Sequence, residues 1–181
     1  MEELSKITRP TRLPLALTVA DYLRDHVFNG RAVFPAVEAM RALAASALSA
    51  VPGLDVRVIS GADFNKFLSI DPAMTVIDAF NEVEAEGGTV RSKLVTVRKQ
   101  GTTSITRAVT HVALTFPGHC PARAAEPIDV IFGLEGICVH PEKERIYAEL
   151  VPFKAAYQNI ESLYLSEQGA IALVSGGTAD A

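Results

Sequence analysis

His26, Gly30 and Pro35 stand four and five residues apart, and they carry the chemistry most legible in this chain. An imidazole is the side chain whose ordinary titration range lets it take up and return a proton near neutral pH. Gly30 permits a turn that a residue with a β-carbon would resist. Pro35 suits the first turn of a helix, where a residue without an N–H is tolerated. The first N–H groups of such a helix have no internal partners and lie at the positive end of its dipole, so a carbonyl oxygen could be polarised there. A base beside an oxyanion site is a recognisable catalytic pairing.

The elements that must position these residues follow from the pattern. No residue from Val37 to Leu48 breaks a helix, and Val37, Met40, Leu43, Ala44, Ala47 and Leu48 recur near i, i+3 and i+4 spacing. The run predicts a helix over 35–50 that is mostly buried, its alanines letting a sheet approach on several sides. Residues 11–19 read as a strand and 56–67 as an extended segment, with Phe64 and Phe67 in the core. Strands over 74–84, 89–99 and 104–116, turned at Gly87-Gly88 and Gly101, make an antiparallel meander. A helix against consecutive antiparallel strands makes an α+β lobe.

HxxxGxxxxP, preceded by YLRDH and followed by that helix and meander, resembles the dehydratase domains of modular polyketide synthases. The resemblance implies a double hot-dog fold, each lobe an antiparallel sheet wrapped around a long central helix. It implies a hydro-lyase in which His26, as general base, takes the α-proton of a β-hydroxyacyl thioester. The substrate would be carried on the phosphopantetheine of an acyl carrier protein, with no other cofactor. Gly30 and Pro35 would then belong to the carbonyl-binding loop, where Ala36 replaces the family's glycine. The family's second-lobe motif YGPxFQGL falls in register with Phe153 to Ile160, which points to Tyr157 and Gln158 as substrate-binding; Lys154 and Ala155 replace its glycine and proline.

On this reading residues 1–116 are a complete hot-dog lobe, 117–127 (Pro117, Gly118 and a proline-rich run) a linker, and 128–181 a partial second lobe with strands over 145–150 and 161–174. The family's general acid, an aspartate in a DxxxQ or DxxxH motif, is absent from the sequence. Either the chain is a fragment of a larger synthase, the favoured expectation, or a partner chain supplies the acid. The stand-alone homodimeric dehydratase of fatty-acid biosynthesis fits less well, because Arg41 stands where its glutamate would be; Glu38 reads as an ion-pair partner of Arg41. A non-catalytic hot-dog module that binds acyl carrier protein or acyl chains, and a hot-dog thioesterase, are the alternatives.

Composition sets the remaining bounds. The 181 residues are 49% hydrophobic with a net charge of −4, values that describe a globular protein and give no footprint for nucleic acid. No apolar stretch is long enough to span a bilayer, and MEELSKITR is unlike a signal peptide, so the expected compartment is cytoplasmic. Cys120 and Cys138 lack CxxC spacing and read as free thiols, and no histidine has metal-ligand spacing. His111 reads as lying on a sheet face, His119 and His140 as loop residues, and Asp25 as a solvated charge. Strand edges in a partial second lobe would favour a homo-oligomer.

Overall fold

The computed structural model describes residues 10–99, 106–118, 136–151 and 153–175. They divide into two compact units. The first holds residues 10–24 and 33–118; the second holds 25–32 together with 136–151 and 153–175.

Among the described residues the first unit is a five-stranded antiparallel sheet with one α-helix. Its strands are β1 (Thr11–Thr18), β4 (Gly61–Phe64), β5 (Val76–Glu86), β6 (Thr89–Lys99) and β7 (Thr106–Pro117), in the order β1-β5-β6-β7-β4. The meander is observed as β5, β6 and β7, with Glu86 paired to Thr89 across the Gly87-Gly88 turn. Alternation in β5 places Ile77, Ala79, Asn81 and Val83 on the buried face, the period-2 rule written in the sequence. The β6/β7 pairing shifts register between Leu94 and Val95, whose partners are Val112 and Thr110. His111 is therefore the extra residue of a β-bulge, and it is buried.

Helix α1 (Ala36–Ala50) packs against β5, β6, β7 and β1. It begins one residue later than expected, because Pro35, at φ −62° and ψ 140°, is its extended N-cap. The expectation of a mostly buried helix is corrected. Ala39, Leu43 and Ala47, one i, i+4, i+8 row, are buried, whereas Val37 is 64% and Leu48 42% exposed. The sheet covers a single stripe, and the small residues of that stripe bring the helix backbone close to it.

Residues 56–67 are not one extended segment. Only Gly61–Phe64 forms a strand, at the sheet edge against β7, with Ser60 and Asn65 adding backbone bonds to Thr115 and His111. Phe64 and Phe67 are 54% and 55% exposed rather than in the core. Burial of an edge strand depends on what covers its outer side, which alternation in the sequence does not record.

The second unit contains the short hairpin β2 (Val27–Phe28) and β3 (Arg31–Ala32), a helical turn α2 (Lys143–Arg145) that continues as a π-turn over Ile146–Leu150, and the hairpin β8 (Ile160–Ser166) and β9 (Gly169–Val174). The expected strand over 145–150 is thus helical. Adjacent Ile146 and Tyr147 are both buried, which a strand with alternating faces cannot arrange. With Leu163 they form the centre of a small core, to which Val151, Ile160 and Leu165 add. The expected single strand over 161–174 is folded back on itself at Glu167 and Gln168. His119, Cys120 and most of the proline-rich 117–127 run lie outside the described residues; Cys138 is a free, exposed thiol.

Candidate functional site

His26 lies at the base of the β2–β3 hairpin, after a 3-10 turn over Asp21–Asp25. The hairpin reverses at Asn29 and Gly30, with φ of 49° and 74°, while Phe28 pairs with Arg31. Positive φ at both central residues defines a type I′ turn, for which Asn-Gly is the preferred pair. A β-carbon on Gly30 would meet nothing within 4 Å. Backbone conformation, rather than crowding, thus explains the glycine four residues after the histidine.

The His26 ring lies against two aromatic rings of its own unit. Its centroid is 4.6 Å from that of Phe153 at an interplanar angle of 33°, and 5.4 Å from that of Tyr157 in an edge arrangement. Phe153 and Tyr157 flank a 3-10 turn over Ala155–Tyr157, with their own centroids 5.7 Å apart. The turn closes on itself through Tyr157 N–H to Lys154 O (3.0 Å) and Gln158 N–H to Ala155 O (3.2 Å). Gln158 also donates its side-chain amide to Phe153 O at 3.0 Å. That exposed side chain thus holds the turn, and it borders a shallow cleft of about 360 Å³ shared with Lys143, Glu144, Tyr147 and Ala148.

Asp25 is more than a solvated charge. Its carbonyl oxygen accepts the Lys154 N–H at 3.1 Å and its Oδ2 accepts the Ala156 N–H at 3.1 Å. No local signal could have revealed a link across 131 residues. The contact of His26 with Phe153 was likewise hidden by distance along the chain, although Phe153 heads the stretch in register with the second-lobe motif.

Pro35 belongs to the first unit. Its carbonyl accepts the Ala39 N–H at 3.1 Å, and the preceding residues are fixed by a Val33–Ser69 bridge and by Phe34 N–H to Leu68 O at 2.8 Å. Glu38 and Arg41 form the expected ion pair at 3.3 Å. His111 in the same unit is 1% exposed, and its titration is pushed below the ordinary histidine range, first by burial, with the charges of Arg98 and Lys66 acting the same way. His140 Nδ1 lies 2.9 Å from Leu163 O, and its ring stacks on Tyr164. Among the described residues no group of three His, Cys, Asp or Glu could hold a metal ion, and no helix is long and apolar enough to cross a membrane.

No family model matches the chain, and no curated protein matches it in sequence. Solved structures do. The dehydratase domain from the CurF module of curacin polyketide synthase superposes with a TM-score of 0.70 at 16% identity, over 97% of this chain and 66% of that one. A trans-AT polyketide synthase dehydratase domain from Brevibacillus brevis gives 0.65 at 18% identity, over 91% and 59%. The dehydratase domain of the polyketide synthase PpsC from Mycobacterium tuberculosis gives 0.61 at 19% identity, over 96% and 63%. The chain therefore has the hot-dog fold of polyketide synthase dehydratase domains, and it spans about 59 to 66% of the length of these structures.

Proposed function

We propose that the chain is a dehydratase-type double hot-dog protein that removes water from a β-hydroxyacyl thioester carried on an acyl carrier protein. The observation that carries this reading is the placement of His26. In a fold shared with dehydratase domains, the histidine of the HxxxGxxxxP segment follows an ordered turn and packs against the rings of Phe153 and Tyr157. An imidazole held at a fixed orientation is what general-base catalysis at a weakly acidic C–H needs.

In the proposed reaction His26 takes the α-proton next to the thioester carbonyl. The electron pair forms the α,β double bond as the β-hydroxyl leaves, protonated to water. Donors to the thioester carbonyl would stabilise the enolate-like charge, and the Gly30 N–H is the proposed source. Tyr157 and Gln158 are proposed to border the acyl arm. The substrate brings its own phosphopantetheine. The proton donor to the leaving hydroxyl is assigned to no residue, since the sequence has neither DxxxQ nor DxxxH.

A second reading is a hot-dog module that binds carrier protein or acyl chain without turnover. Intact-mass analysis of a β-hydroxyacyl carrier protein incubated with the chain, beside a His26→Ala control, separates the readings. Loss of one water with the native chain and none with the variant supports the dehydratase. Release of free acid identifies a thioesterase, and an unchanged mass identifies the binding module.

A further inference from the structure

We infer that Asp25 is a positioning residue for the His26 imidazole, acting by tying the segment that bears His26 to the turn that bears Phe153 and Tyr157. Its consequence for turnover rests on His26 being the base; its structural content does not.

The Ala155–Tyr157 turn is too short to satisfy its own first N–H groups. Its internal hydrogen bonds begin with the N–H groups of Tyr157 and Gln158. Of the donors before these, Lys154 N–H and Ala156 N–H both end on Asp25, one on the carbonyl oxygen and one on the carboxylate. A carboxylate accepting a backbone N–H makes a stronger bond than a neutral acceptor, and two bonds to one residue fix rotation as well as distance. Asp25 is followed directly by His26, and Ala156 directly by Tyr157. The carboxylate link is thus one residue removed from each of two rings whose centroids lie 5.4 Å apart. Phe153 completes the setting from the other end of the turn, one residue before Lys154. Releasing the carboxylate would free the turn to rotate about the remaining Lys154 bond and would carry both rings away from the imidazole.

A purely electrostatic role, in which the negative charge of Asp25 acts on the neighbouring ring, makes a different demand. It needs the charge and not the acceptor. Asparagine keeps an oxygen where Oδ2 accepts the Ala156 N–H and removes the charge; alanine removes both.

The test compares native protein, Asp25→Asn and Asp25→Ala by NMR and by rate of water loss from a β-hydroxyacyl carrier protein. The ring protons of His26 sense the ring currents of Phe153 and Tyr157, and amide exchange at Ala156 reports its hydrogen bond. Expected for Asp25→Asn are native His26 shifts, a protected Ala156 amide and a rate within about threefold of native. Expected for Asp25→Ala are His26 shifts displaced toward those of free histidine, a fast-exchanging Ala156 amide and a rate lowered about tenfold, the worth of one lost hydrogen bond. If Asp25→Ala leaves the His26 shifts in place, or Asp25→Asn displaces them as Asp25→Ala does, the inference is overturned. Should Asp25→Ala unfold, the shifts of Asp25→Asn decide alone. Should the native chain release no water, the proposed function fails while the NMR result still stands or falls by itself.

Discussion

Nε2 of His111 lies 2.8 Å from Thr96 Oγ1, and Nδ1 of the same buried ring lies 3.0 Å from the Lys66 carbonyl oxygen. A carbonyl can only accept, so Nδ1 carries the hydrogen and Nε2 accepts from the threonine hydroxyl. The neutral ring is fully satisfied. A second proton would leave a charged ring in the core and set a new donor against the hydroxyl.

A pH dependence follows. The folded state holds the titration of His111 below its unfolded value, through burial above all. Its stabilising contribution is present above the unfolded value, about 6.5, and is lost as pH falls from there through the folded value. Resistance to urea is expected to fall as pH is lowered from about 7.5 to about 5, with a flatter dependence in His111→Gln. Identical slopes for the two proteins would refute this origin.

Leu43 is fully buried in the helix stripe, while Val37 on the same helix is largely exposed. Leu43→Ala should cost about 2–5 kcal/mol, from lost burial and the cavity it leaves. Val37→Ala should stay within about 0.5 kcal/mol. Denaturant midpoints of the two variants check the contrast.

Asn81 and Ser92 form a buried polar pair, Ser92 Oγ donating to Asn81 Oδ1 at 2.8 Å, and Asn81 Nδ2 has no partner among the described residues. Removing one member strands the other in an apolar layer. Ser92→Ala alone is expected to cost about 1–3 kcal/mol, whereas Asn81→Leu combined with Ser92→Ala should recover most of that loss. A double-mutant cycle in urea gives the coupling directly.

At Gly30, φ of 74° and open surroundings mean that an added side chain meets strain but no clash. Gly30→Val should cost about 1–2 kcal/mol. Gly30→Asn should be milder, because asparagine tolerates the left-handed region. Equal thermal shifts for the two variants would count against a purely conformational role for the glycine.

What the sequence made legible was what repeats locally. Alternation located β5 and β6, the uninterrupted run after Pro35 located α1, and the His26–Gly30–Pro35 spacing pointed to the fold seen in the solved dehydratase domains. What stayed hidden depended on partners distant in sequence. Phe64 and Phe67 looked like core residues until β4 proved to be an edge strand, and the burial of His111 rests on a one-residue bulge that breaks alternation. In the candidate site the histidine was visible and its setting was not. Nothing near residue 26 announces Phe153, and nothing near Ala156 announces Asp25.

The assignment of residues 25–32 to the second unit bears on how the chain is made. During synthesis the segment with His26 leaves the ribosome early, but the residues it packs with follow more than a hundred positions later. The hairpin must wait, joined through the chain on both sides to residues of the first unit. A clone that begins after residue 118 would lack this piece, so the second unit is not obtained by cutting the gene once.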